Sequence, residues 1–358
     1  TTGQISDGLG GTDSVSGIEH IGGTRFGDVM RGGAEDNYFE ARQGDDLLEG
    51  GEGRDEFEGN EGNDTIDGGA GLRDRARYHQ DHERGGSQGI DASLLTNRVT
   101  DTFGDTDTLI GIEEIEGSAF GDLIVGNAED NDLMGRGGND TIIGNEGNDN
   151  LEGDEGDDSI VGGEGGDFIE AGSGQDSIEG GADGPDGRDD ELSYMFDAAN
   201  VGASAGISAT FTSEGAGSVV DFAGDTDVFT GIEQIRGTQN DDTFVGAAGR
   251  QVFKGLEGND SFDGWDGDDD RVDYSRAEGD IGATQGIQAS LDAGTATDSW
   301  GDTDTLIRIE EIRGSIFDDT ITGDSGRNSL DGENGDDLID SFGGARNYLG
   351  GDNGNDSL

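Results

Sequence analysis

Cysteine is absent from the 358 residues and proline occurs once. The missing thiols exclude a disulfide framework, a thiolate zinc site and a cysteine nucleophile. Cations are scarce too: 20 Lys+Arg stand against 83 Asp+Glu, a formal charge of −63. No basic patch is left for nucleic acid, and no run of about 18 apolar residues spans a membrane. Hydrophobic residues make up only 29% of the chain, where ordinary globular domains reach nearly half, so a conventional core is excluded. The histidines are His20, His79 and His82, without an HExxH zinc motif, and no GxSxG nucleophile elbow occurs. No N-terminal signal peptide is expected. Taken alone, these absences describe a disordered acidic chain.

What is abundant is glycine, 72 residues, and it keeps a phase that disorder does not need. Residues 50–58 read GGEGRDEFE, 59–67 GNEGNDTID, 144–152 GNEGNDNLE, 153–161 GDEGDDSIV and 162–170 GGEGGDFIE. The period is nine, with Gly at places 1 or 2 and 4, Asp at place 6 and a large apolar residue at place 8. From Ser14 the frame brings Glu19, Asp28, Asn37, Asp46, Asp55 and Asp64 to place 6, with Ile21, Met30, Phe39, Leu48, Phe57 and Ile66 at place 8. A second block from Thr108 has Glu113, Asp122, Asn131, Asp140, Asp149, Asp158, Asp167 and Asp176 at place 6. A third from Val228 has Glu233, Asp242, Gln251, Asp260 and, less cleanly, Asp269. The fourth, from Thr305, has Glu310, Asp319, Asn328 and Asp337, then Asn347 and Asp356 after a one-residue slip near Ser341.

The pattern GGxGxDxUx resembles the RTX calcium-binding nonapeptide repeat. That resemblance implies an all-β fold, a calcium-stabilised parallel β-roll in which two nonapeptides make one coil. It extends to the β-roll regions of RTX adhesins, serralysin-type proteases and alginate epimerase R-modules. Four rolls are expected at 14–67, 108–179, 228–263 and 305–358, the last truncated. Between them lie connectors at 68–107, 180–227 and 264–304, and residues 1–13 read as the tail of another. Each connector carries a Tyr (Tyr78, Tyr194, Tyr274), a stretch such as GIDASL (89–94), an aromatic (Phe103, Phe222, Trp300) and GDTD. Ile90, Ala92 and Leu94 alternate with polar residues, which predicts a half-buried strand. The connectors are expected to be ordered and to cover the end or side of each roll.

Turns n and n+2 then stack at about 4.8 Å. A cation between them meets backbone carbonyls and place-6 carboxylates, an all-oxygen shell suited to Ca²⁺ more than to Mg²⁺. Aspartate occupies both n and n+2 in nine pairs: Asp28/Asp46, Asp46/Asp64, Asp122/Asp140, Asp140/Asp158, Asp149/Asp167, Asp158/Asp176, Asp242/Asp260, Asp319/Asp337 and Asp337/Asp356. About nine or more ions are therefore expected, with Asp55 and Asp269 as further ligands and weaker sites where Asn37 or Asn131 takes part. His79, Asp81 and His82 read as a solvated polar loop.

The resemblance also implies type I secretion and folding in extracellular calcium. The expected role is a non-catalytic structural or adhesive array. The alternative is an accessory module of a secreted protease or polysaccharide-modifying enzyme. Beyond calcium, a cell surface, a polysaccharide or a second copy are the open choices of partner. A start at Thr1 without Met suggests a piece of a longer chain.

Overall fold

The computed structural model describes every residue except 1, 8–10, 17, 72, 185–186, 196–204, 268, 276–281 and 345; side chains of 2–16 and 183 are also outside the description. The chain forms two units, Thr1–Arg188 and Asp189–Leu358. Each is a stack of short strands in two sheets.

One nonapeptide supplies one three-residue strand, places 7 to 9, and the alternating direction of side chains along it buries only place 8. In unit 1 the first sheet stacks Val29–Arg31, Leu47–Gly51, Thr65–Gly69 and Thr106–Ile110 in parallel, pairing Met30 with Leu48, Leu48 with Ile66 and Ile66 with Leu109. The second sheet stacks His20–Gly22, Tyr38–Glu40, Glu56–Glu58, Arg75–Arg77 and Glu114–Glu116, pairing Ile21, Phe39, Phe57, Ala76 and Ile115 in order. All of these place-8 residues are at most 3% exposed, and together they form a narrow core between the sheets. Phe39 and Phe57 stack with ring centroids 5.1 Å apart, an arrangement worth about 0.5–1.5 kcal/mol beyond burial.

The expected half-buried strands exist: Ile90, Ala92 and Leu94 are 3%, 0% and 4% exposed. Their partners differ from a cap. Arg75–Arg77 continues the second sheet, and Thr65–Asp67 pairs with Thr108–Ile110. The ladder therefore runs through the boundaries placed at 67/68 and 107/108. Thr106–Ile110 then pairs antiparallel with Arg98–Thr100, which pairs antiparallel with Asp91–Ser93, which pairs parallel with Leu123–Val125. A hairpin thus lies inside the first sheet, while Glu114–Glu116 meets Asp132–Met134 directly in the second. The first sheet gains two strands, about 10 Å, that the second lacks.

Unit 2 repeats this topology twice. Thr226–Thr230, Ala216–Val220, Ser208–Ser213 and Thr243–Val245 follow the same antiparallel, antiparallel, parallel order. So do Thr303–Ile307, Thr295–Thr297, Gln288–Ser290 and Thr320–Thr322. At the N-terminus Thr2–Asp7 pairs antiparallel with Gly11–Ser16 and with Val29–Arg31; the remainder of segment 1–13 lies outside the described residues.

Candidate metal centre

Within each block the place-6 backbone N–H points at the place-6 carboxylate two repeats later. Asp140 donates to Oδ1 of Asp158 at 2.7 Å, Asp122 to Asp140 at 2.7 Å, Asp46 to Asp64 at 2.8 Å, Asp242 to Asp260 at 2.8 Å and Asp319 to Asp337 at 2.8 Å. The same bond joins Asp28 to Asp46, Asp149 to Asp167, Asp158 to Asp176 and Asp337 to Asp356. All nine aspartate pairs are stacked in register. Asn37 and Asn131 donate to Asp55 and Asp149 in the same way, so the ladder does not separate amide from acid.

The other side-chain oxygen does separate the turns, into two kinds. In the first full repeat of each block it is already bonded: Oδ2 of Asp28, Asp122, Asp242 and Asp319 accepts the N–H of Thr24, Ser118, Thr238 and Ser315 at 2.6–2.7 Å. The amide repeats that follow close similarly, Asn131 accepting from Asn127 at 2.8 Å and Gln251 from Ala247 at 2.9 Å. Later repeats are open. Place 2 there is left-handed, as at Arg136 (φ 76°), Asn145 (φ 86°) and Asp154 (φ 69°). Oδ2 of Asp46, Asp55, Asp64, Asp140, Asp149, Asp158, Asp260 and Asp337 is buried without a partner.

Seven of these oxygens lie over a place-1 glycine, the Asp46 turn having Ala41 there; over Gly50, Gly135, Gly144 and Gly153 a carbonyl from the next coil lies beside the oxygen. A Cβ on Gly144 would sit 2.2 Å from Asp149 Oδ2 and 2.6 Å from the Gly162 carbonyl oxygen. On Gly153 it would sit 2.5 Å from Asp158 Oδ2 and 2.2 Å from the Ala171 carbonyl oxygen. Oxygen atoms converge there with no donor, a costly arrangement for buried acceptors and a fitting one for a hard divalent cation. Burial foremost, with neighbouring carboxylates adding, pushes Asp46 up to about 7, Asp64 to about 9 and Asp140 to about 8. The fit test is met by the open turns. Asp122, Asp242 and Asp319, expected as ligands, have both carboxylate oxygens engaged by protein donors, Oδ1 accepting the N–H of Ile90, Ile207 and Ile287, and Oδ2 of Asp28, also expected as a ligand, is engaged by Thr24.

Asp269 is displaced from the ladder. Its side chain is 36% exposed and pairs with Arg327, while Asp270, 0% exposed, accepts the Gln251 N–H at 2.9 Å and leaves Oδ2 buried without a partner. A one-residue insertion at the end of the block causes the shift, and it recurs at Asp74, which accepts the Asp55 N–H at 2.8 Å. Asp107 and Asp304, last residues of GDTD motifs, continue the ladder from Asp64 and Asp260 at 2.9 and 3.0 Å. The ten-residue spacings and the repeated GDTD were the signals for these residues.

Several cations pair with buried acids of the second sheet. Arg75 and Arg54 pair with buried Glu114, Arg77 and Arg136 with buried Glu116, and Arg84 with buried Glu58. His79 lies 3.2 Å from Glu116, whereas buried Asp81 accepts from Thr102 at 3.0 Å. Those two side chains do not converge on one metal. Among the described residues, Asp331, Glu333 and Asp352 bring oxygens within 4.8 Å of one another, but Arg313 pairs with Glu333. No helix of the described residues is long and apolar enough to cross a membrane.

None of the curated protein sequences is similar enough to count as a relative. The family model of the RTX calcium-binding nonapeptide repeat matches residues 22–57, 40–71, 107–142, 116–151, 125–160, 152–184, 245–270 and 310–341. These spans cover just over half of the chain, and they contain most of the open turns described above. The chain therefore belongs to the family of RTX calcium-binding nonapeptide repeat proteins, and its parallel two-sheet stack is a calcium-binding β-roll.

Proposed function

We propose that this chain is an extracellular, non-catalytic array that folds when calcium binds and then serves as a structural or adhesive spacer. The observation that carries the reading is the open turn, a buried carboxylate oxygen without a donor over a place-1 glycine, repeated along both units. In the open turns the place-6 carboxylate would hold the ion, helped over Gly50, Gly135, Gly144 and Gly153 by the place-1 carbonyl of the next coil. Bound calcium supplies positive charge between stacked carboxylates, so its binding free energy is present only in the folded state. Low calcium inside a cell leaves such a chain unfolded, and high calcium outside folds it. The spacer role is supported by ladders that pass through connector 68–107 within unit 1 and connector 264–304 within unit 2 in the same pattern.

Small-angle scattering tests this. An unfolded chain of this length has a radius of gyration of roughly 70 Å, and millimolar calcium is expected to contract it by at least a third. A radius unchanged between chelator and calcium would overturn the reading.

A further inference from the structure

Exposed apolar side chains gather on one face of unit 2. Val220, Val228, Ile307 and Leu338 are 41–52% exposed. All four point outward from the first sheet, on strands whose alternate residues Val219, Phe229, Leu306 and Ile339 are buried. Hydroxyl and β-branched residues stand beside them. One row of outward residues runs from Thr226 through Val220, Ser208 and Thr243 to Ser261 and Thr305, across six paired strands, and over three more to Thr322. No residue of that row is charged. The neighbouring row, from Val228 to Ile307, holds one acid, Asp263, and Arg308 neutralises it by donating from Nε to Oδ1 at 2.8 Å.

The other surfaces of the unit are charged. The outer face of the second sheet carries Glu191, Arg236, Lys254, Arg271, Glu311 and Arg313 in ion pairs, and the turns carry exposed Asp241, Asp318 and Asp336. On a chain of formal charge −63, like charge holds a second copy away from every surface of that kind. The first sheet's outer face is free of that repulsion, and the centres of protein interfaces are depleted of charge in the same way. Among the described residues no aromatic side chain stands on this face for a sugar to stack on, and a basic partner would settle on the acidic turns instead. Strands stacked at about 4.8 Å make the row roughly 40 Å long and, with its neighbours, about 10 Å wide. Two copies face to face then bury about 800 Å² in all, the size of a weak, concentration-dependent contact.

We propose that unit 2 binds a second copy of this chain through the outer face of its first sheet, the two sheets packing about 10 Å apart as the layers of a β-sandwich do. The contact is isologous, since each copy offers the same face. Calcium acts by folding the unit and forms no bridge between the copies. The contact goes beyond the proposed spacer role and needs only that the unit be folded.

Sedimentation of the full chain in millimolar calcium tests the contact, with far-UV spectra to show that the compared chains are equally folded. A dimer that grows with protein concentration is expected. Raising sodium chloride from about 0.1 to about 0.5 M is expected to strengthen it, because screening relieves the repulsion between the acidic surfaces. Thr243→Asp together with Thr305→Asp sets like charges across the contact and is expected to raise its dissociation constant about tenfold or more. Ser329→Asp adds the same charge to the outer face of the second sheet and is expected to leave the dissociation constant within about twofold. A folded wild-type chain that stays monomeric at every concentration and salt overturns the proposal. So does a dimer that the two first-sheet aspartates leave intact, or one that salt weakens, as it would weaken calcium bridges between acidic surfaces.

Discussion

The carboxylate of Asp158 accepts the backbone N–H of Asp140 at 2.7 Å with one oxygen and buries the other beside Gly153 without a donor. The first bond fixes the stacking of coils. The second oxygen makes that stacking costly until a cation arrives.

Asp158→Asn is expected to raise the calcium midpoint of folding by roughly tenfold, which corresponds to about 1.4 kcal/mol. It replaces a charged acceptor by an amide in one open turn. Isothermal titration against the wild type measures the shift; an unchanged midpoint would show that Asp158 is not a ligand. Asp122→Asn, in a closed turn where Ser118 already engages Oδ2, is expected to move the midpoint far less.

Gly153→Ala tests the cradle by space alone. Gly153 is not among the positive-φ residues, yet its Cβ would come within 2.2 Å of the Ala171 carbonyl oxygen. The clash with backbone is expected to cost about 1–3 kcal/mol, read as a lower melting temperature in calcium. A melting temperature equal to wild type would mean that no cradle closes there.

The open-turn carboxylates make the metal-free fold favour acid. Burial raises Asp55 and Asp149 to about 7 and Asp64 to about 9, against about 3.9 in an unfolded chain. Between those values the folded state holds more protons than the unfolded state, so its stability falls as pH rises from about 4 through 7, and for Asp64 on to about 9. Protons and calcium compete for the same oxygens, and the calcium midpoint is expected to rise as pH falls below 7. Circular dichroism in calcium-free buffer at pH 4.5 and 8 checks the first effect. More structure at pH 8 would contradict it.

Phe253 packs against Phe211, Phe244 and Phe262 with centroids 6.1, 5.5 and 6.2 Å away. Phe253→Ala is expected to destabilise calcium-loaded unit 2 by about 3–5 kcal/mol, measured by denaturant unfolding. A loss below 1 kcal/mol would mean that metal rather than this cluster carries the unit.

The period of nine was enough to place the ligand ladder and the core, because places 6 and 8 repeat with one geometry at every coil. The difference between open and closed turns was harder to read. It depends on the backbone at place 2, and its trace in the sequence is a hydroxyl residue there, Thr24, Ser118, Thr238 or Ser315, at the same point of each block. Strict counting by nine points to Asp269 where Asp270 stands in the ladder, because a single insertion shifts the frame without altering composition. The alternation in GIDASL revealed a half-buried strand. Alternation does not name a partner, so a hairpin within the same sheet looked like a cap beside it.

Far-UV circular dichroism during a calcium titration tests the central claim most directly. Starting in excess chelator at pH 8, the account predicts a largely unfolded spectrum that converts cooperatively to β structure by millimolar calcium, while magnesium at equal concentration does much less. A β spectrum already complete in chelator would contradict it.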